Sequence, residues 1–485
     1  MLPRQGNWSL ILLLGLGALF FALLLGAALG AGLLVFALLL MSLPLLVVGA
    51  VWFWNQSAQR LGQAAFWSQF LLFYFLGIFF GVTGVSLNGA WQVLVFAGGL
   101  LGCWLAAGRF RERWLAASLF FLLAYHAVAL VSLVFAPSVA LKATAYQLVS
   151  NLKLFALFGF VFLFSKWVSV EAAVRRTTPV FILLCLLALA LQWAGQGLYS
   201  TLFPNFMIPV ESTFYLPSPG IGIFHHASIL AGVSAVLGCY YFACFMERRQ
   251  RRDLLVFFGL VALLLASNQR QEMFSFFIAI TALYFFLSGS TLFVRSSILL
   301  VTWALLLCVF VGLFWESILR ELPQWGIGTW QRSVIPRYQL YDGAWSFARE
   351  YFPLGRGLGA YGGVGAMKYD LSAYFQLGLT SEWWWRNYNH YLLDAYWPNA
   401  IGEGGYFGVL FMGLHYACLL LYFVTKGIAA LSREVRRAWL AAAAALLWVL
   451  GTTPTSPGFQ EIVILYFPAV FWVIAERLNQ GKGAA

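Results

Sequence analysis

Long apolar runs separated by short polar or basic stretches dominate the chain from residue 8 onward. A helix that crosses a bilayer needs about 20 consecutive, mostly apolar residues. The run 8–54 is long enough for two such helices, with a tight turn near 26–32. Further runs fall at 65–85, 90–108, 114–136, 144–164, 179–194, 224–245, 254–267, 273–287, 297–315, 406–424, 438–451 and 462–475. The pattern predicts an all-α polytopic membrane protein of about fourteen spans, twelve at the fewest. One membrane domain is expected over 1–485, interrupted by two longer polar connections at 196–222 and 316–405.

Composition narrows the class. Charged residues make up 9% of the 485 and hydrophobic residues 62%, where a soluble domain carries about 25% charged residues. A soluble enzyme, a disordered chain and a coiled coil are excluded. The six cysteines (Cys103, Cys185, Cys239, Cys244, Cys308, Cys418) all lie inside apolar runs, with no CxxC and no metal-ligand spacing, so neither a disulfide framework nor a metal site is expected. The first apolar run extends far beyond a signal-peptide core, so no cleavable leader is expected.

The net charge of +12 is explained mostly by its placement. With the N-terminus cytoplasmic, alternate loops carry Arg60; Arg109, Arg111, Arg113; Lys166, Arg175, Arg176; Arg248, Arg249, Arg251, Arg252; Arg295; Lys426, Arg433, Arg436, Arg437; and Arg477, Lys482. Together with Arg4 these are 19 of the 29 Lys and Arg. That bias is the one expected of loops on the cytoplasmic side. It predicts both termini in the cytoplasm, and it leaves no need for a nucleic-acid partner.

The other ten basic residues break the bias. Lys142, Lys153 and Arg270 lie in or at the ends of spans. Arg320, Arg332, Arg337, Arg349, Arg356, Lys368 and Arg386 lie in 316–405, on the outer side. Around 336–351, apolar residues at helical spacing (Leu340, Ala344, Phe347, Ala348, Tyr351) predict an amphipathic helix with Arg337 near its start and Pro353 as its stop. The run from Gly357 to Gly362 fits G-x-G-x-x-G, but no strand precedes it, so a dinucleotide site is not inferred. Trp383, Trp384, Trp385, Tyr388, Tyr391, Tyr396 and Trp397 suit a membrane interface. No internal repeat is visible, nor an inverted pair of broken spans of the kind that points to a transporter.

Four segments, taken in order, carry a resemblance. They are Gly222-Ile-Phe224 with His225 and His226; Ser267-Asn-Gln-Arg270; Arg337 with Pro353-Leu-Gly355-Arg-Gly357-Leu-Gly359; and Asn389-His390-Tyr391-Leu392 with Glu403-Gly-Gly405 and Gly408. Over residues 140–425 the chain resembles the O-antigen ligase/Wzy-type polysaccharide polymerase superfamily, bacterial membrane glycosyltransferases that use polyprenyl-diphosphate-linked glycans. The family's usual His-Asn order is replaced by Tyr388-Asn389-His390, and the stretch to Glu403 is longer and holds Asp394. Both departures favour the polymerase branch.

The resemblance implies a GT-C-like enzyme of the bacterial inner membrane, with its site on the periplasmic face, largely in 316–405. The donor would be a polyprenyl-diphosphate-linked glycan, and the acceptor a second such glycan or, for a ligase, lipid A–core or a protein. Neither a cofactor nor a metal is expected. Chain length would be set here or by a regulatory partner. A leaving diphosphate needs fixed cations, and guanidinium groups match phosphate oxygens bidentately. Arg270, Arg337, Lys153 and Arg356 are the candidates. The acceptor hydroxyl needs a base: His390 and Asp394, four apart, would share a helix face, with Glu403 as a second carboxylate near the chemistry. His225, His226, Asn389 and Tyr391 are further candidates for substrate contact. The expected reaction is an inverting single displacement. A flippase or transporter of lipid-linked glycan is the competing class.

Overall fold

The computed structural model describes residues 58–84, 88–136, 139–206, 218–288, 335–387 and 391–481. The expected spans at 8–54 and 297–315 lie outside them, as do Arg320, Arg332, Asn389 and His390. Among the described residues every regular element is helical and none is a strand. Lipid offers backbone groups no hydrogen-bond partners, so a chain this apolar must satisfy them within helices.

The helices in chain order are α1 Ala58–Thr83, α2 Asn88–Leu105, α3 Arg113–Phe135, α4 Leu141–Asn151, α5 Lys153–Phe164, α6 Val170–Ala194, α7 Gln196–Leu202 and α8 Ala227–Arg248. They continue with α9 Arg251–Ala266, α10 Arg270–Ser288, α11 Pro336–Glu350, α12 Val364–Tyr369, α13 Ser372–Gln376, α14 Trp397–Ala429, α15 Arg433–Thr452 and α16 Ile462–Gly481. Seven of them are long and apolar enough to cross a membrane: α3, α6, α8, α10, α14, α15 and α16. The protein is therefore a multi-pass, all-helical membrane protein.

The segment expected as one straight span at 144–164 is two helices. α4 and α5 meet at a 54° bend at Leu152. α4 explains the break, because Thr144, Gln147 and Ser150 all turn inward, and Thr144 and Gln147 find polar partners that a straight apolar span would not meet. The span expected at 406–424 begins nine residues earlier, at Trp397, and is interrupted at Gly405 (φ 63°, ψ −145°). A Cβ at Gly405 would collide with the carbonyls of Pro353 and Leu354. The amphipathic helix expected at 336–351 is α11, with Pro336 in its first turn.

α8, α15 and α16 form the centre of the bundle. Small residues allow that packing: Ala441–Ala445 are all buried in α15, and Gly102 faces Gly159 where α2 crosses α5. Close backbone approach of this kind is how helices associate in lipid, where apolar burial alone gives no preference for a neighbour. Aromatic rings fill the middle, with Phe158 stacked on Trp472 at 4.0 Å.

The two ends of the bundle differ. At one end the basic loops are tied by ion pairs: Arg109–Glu476, Arg175–Asp253, Arg248–Glu171 and Lys426–Glu112. The fully buried Arg437 joins Glu171 at 2.9 Å and Glu247 at 2.7 Å. At the other end lie the start of α4, the His225–His226 turn, the start of α10, the segment 335–400 and the α15–α16 connection. A second apolar core sits beneath that segment, built from Leu340, Phe347, Tyr361, Tyr374, Trp384 and Ile401.

Candidate functional site

The glycine-rich run 353–365 is the centre of this second end, and hydrogen bonds from five directions hold it. Its amides reach the carbonyls opposite: Arg356 N–H to Gly402 at 2.8 Å, Gly357 N–H to Glu403 at 3.0 Å and Leu358 N–H to Ala129 at 3.0 Å. Gly359 N–H donates to Glu403 Oε1 at 2.8 Å, and Tyr125 Oη donates to Glu403 Oε2 at 2.8 Å. Gly362 N–H donates to Tyr374 Oη at 2.8 Å, Val364 N–H to Gln460 Oε1 at 3.0 Å and Gly365 N–H to Gln147 Oε1 at 3.0 Å. Thr144 donates to the Leu358 carbonyl at 2.9 Å. A loop without regular structure can be buried only if its backbone is paired in this way.

Glu403 is fully buried in this network, with both carboxylate oxygens occupied. Its place is that of a brace for the glycine run. Arg356 is also taken up by the fold. It is 3% exposed, lies over the Phe347 ring at 4.8 Å and donates to Gln376 and Ser372. Burial pulls its guanidinium below the ordinary arginine range. Neither side chain presents itself to the open face.

Other candidates do reach that face. Arg337 Nε lies 3.4 Å from Asp394 Oδ2, with the two side chains 43% and 28% exposed. This partly open pair joins the expected diphosphate cation to the expected base. Burial pushes the Tyr341 hydroxyl, one helical turn on from Arg337, up to about 12, and the Arg337 charge works against that rise. Tyr341 Oη donates to the Pro454 carbonyl at 2.9 Å. Arg270 is exposed at the first residue of α10, and its neighbour Gln271 donates to the Thr452 carbonyl at 2.8 Å. Tyr391 is partly exposed and meets the Trp383 ring edge-on at 6.0 Å.

Lys153 opens α5 just past the bend. It is buried, and its Nζ donates to the Gln460 carbonyl at 2.6 Å. His225 and His226 are exposed in the turn before α8. His226 caps that helix, with Nδ1 accepting the Ser228 amide at 3.2 Å. His225 packs edge-on against Phe80 and lines a cavity of about 80 Å³ with Phe73, Phe224 and Val463. Among the described residues no three His, Cys, Asp or Glu side chains are grouped so as to hold a metal ion.

Sequence reasoning passed over the connection between α15 and α16, 453–461, although it lies in the middle of this face. Thr453 binds the Tyr396 amide and the Trp397 indole, each at 3.0 Å; Pro454 binds Tyr341; Gln460 binds Lys153 and Val364. Glu461, partly exposed, acts electrostatically on both Lys153 and His225. The signal was present in Thr453-Pro-Thr-Ser-Pro-Gly-Phe-Gln-Glu461. It is a Pro- and Gly-rich break between two apolar runs, with a single acidic residue. Gln147, Asn399 and Tyr125 were also missed. They are polar side chains inside or next to apolar helices, and Gln147 Nε2 donates to Asn399 Oδ1 at 3.3 Å. The chain matches no protein-family model and no curated protein.

Proposed function

We propose that the protein is a membrane glycosyltransferase that polymerises polyprenyl-diphosphate-linked oligosaccharide units. One observation carries the reading. Lys153, His225, Arg270, Arg337 and Asp394 lie far apart in the sequence, yet all stand at one end of the bundle, around a braced glycine run. Cations on the end away from the basic loops have no topological reason to be there, and a lipid diphosphate at a membrane surface supplies one.

In this reading Arg337 and Arg270 grip the diphosphate, and Lys153 adds positive charge from the bend in α4–α5. The ion pair with Asp394 keeps the Arg337 guanidinium aimed across the face. The acceptor hydroxyl attacks the anomeric carbon, the bond to the diphosphate oxygen breaks, and the leaving charge is met by cations already in place. Preorganised charge of this kind is usually the largest catalytic contribution. The periplasmic face of a bacterial inner membrane is the location this chemistry implies.

Purified protein, a polyprenyl-diphosphate oligosaccharide and a gel test the reading. A ladder of longer lipid-linked glycans is the expected result. A single transfer, seen only when lipid A–core is added, identifies a ligase instead. No transfer, with movement of the donor across liposome bilayers, identifies a flippase and rejects the enzyme.

A further inference from the structure

Glycosyl transfer to a hydroxyl needs a base, and the carboxylates at the helix mouths are not equally free to act as one. Glu403 is fully buried with both oxygens occupied. Asp394 is held by Arg337 at 3.4 Å. Glu272 is buried inside α10. Glu461 is partly exposed and has no ion-pair partner within 4 Å among the described residues.

The turn that carries Glu461 is fixed from two sides. Lys153 Nζ holds the Gln460 carbonyl at 2.6 Å, and the Val364 amide holds Gln460 Oε1 at 3.0 Å. The backbone that leads into Glu461 is therefore held in place. Gln460 is 3% exposed, and its Nε2 donor has no partner among the described residues. A buried donor left unpaired costs about 1–3 kcal/mol, which an arriving sugar oxygen would relieve. Val463, two residues further on, lines the cavity of about 80 Å³ beside His225. Lys153, at the bend, and His225, in the turn before α8, both feel the Glu461 charge, and Lys153 also feels that of Lys368.

We infer that Glu461 is the catalytic base of the transfer, with Gln460 Nε2 holding the acceptor sugar beside it. The inference rests on the glycosyl-transfer reading above. The Glu461 carboxylate takes the acceptor proton as that oxygen bonds to the anomeric carbon. The bond to the diphosphate oxygen breaks at the same time, and its electron pair leaves with the lipid diphosphate. No further reactant is needed.

The test measures initial rates of full-length protein in detergent with a polyprenyl-diphosphate oligosaccharide. Glu461→Gln is expected to lower kcat by about a hundredfold or more, with KM for the donor within about twofold. Added formate is expected to restore much of the rate of Glu461→Ala and none of that of Asp394→Asn. Glu461→Asp keeps the charge but draws it back by one methylene, so kcat falls while the melting temperature holds; this variant decides the matter if Glu461→Gln does not fold. Wild-type kcat in Glu461→Gln or Glu461→Asp overturns the inference, as does a formate-rescuable loss in His390→Ala in place of Glu461→Ala. A wild type that makes no product at all defeats the glycosyl-transfer reading, and this inference with it.

Discussion

Glu403 Oε1 accepts the Gly359 amide at 2.8 Å, so a carboxylate on α14 fixes the backbone of the glycine run 44 residues before it. Tyr125 on α3 completes the contact from the other side. Three separate segments therefore meet at one buried side chain. Glu403→Ala leaves the Gly359 amide and the Tyr125 hydroxyl unpaired in the interior, at about 1–3 kcal/mol for each. The expected outcome is a clearly lower melting temperature of the purified protein, with Glu403→Gln closer to wild type. A variant that keeps its melting temperature but loses turnover would make Glu403 catalytic instead.

Gly405 provides a second check on the same junction. Its backbone is in a region that side chains avoid, and its Cα faces the carbonyls of Pro353 and Leu354. Gly405→Ala is expected to cost several kcal/mol, about 1–3 of it from backbone strain alone. Gly413, two helical turns on, has open space where a Cβ would go. Gly413→Ala should be neutral or gain up to about 1 kcal/mol from helix propensity. Thermal unfolding of the two variants side by side separates a local backbone requirement from a general intolerance of α14 to substitution.

The opposite end makes an independent stability prediction. Arg437 is fully buried between Glu171 and Glu247. Removing one member of a buried ionic group costs about 3–5 kcal/mol, because the remaining charges are stranded. Arg437→Met should unfold at a markedly lower temperature, and adding Glu247→Gln to it should recover part of the loss, while Glu171 keeps its pair with Arg248. No recovery in the double variant would mean that the Arg437–Glu247 pair contributes nothing and Arg437 acts by packing or through Glu171.

Arg337 and Asp394 lead to the reverse expectation. Both are partly exposed, and a pair of this kind contributes at most about 1 kcal/mol to stability. Arg337→Ala and Asp394→Asn should therefore melt close to wild type. Their effect should fall on donor handling instead: Arg337→Ala should lose most of its turnover, and Asp394→Asn should raise KM by loosening the guanidinium. Equal losses of stability and turnover in Arg337→Ala would place this pair in the scaffold.

Apolar period and length located the long helices among the described residues, because lipid leaves a chain of this composition one way to satisfy its backbone. The ends were less legible. Gly405 interrupts α14 only because the distant carbonyls of Pro353 and Leu354 press on it, and the bend at Leu152 answers to partners of Thr144 and Gln147 elsewhere in the chain. Charge alone also could not separate Arg337, which reaches the open face, from Arg356, which is enclosed by Phe347, Gln376 and Ser372. Glu461 was overlooked because the carriers of the resemblance stop well before the α15–α16 connection, while the fold returns that connection to the middle of the face.

The most direct measurement is the release of free polyprenyl diphosphate from a lipid-labelled donor by purified protein, with and without acceptor glycan. The account predicts acceptor-dependent release of one lipid diphosphate per glycosidic bond formed, lost in both Arg270→Ala and Arg337→Ala while each variant keeps its melting temperature. Donor recovered intact under every condition, with wild type and variants alike, would contradict it.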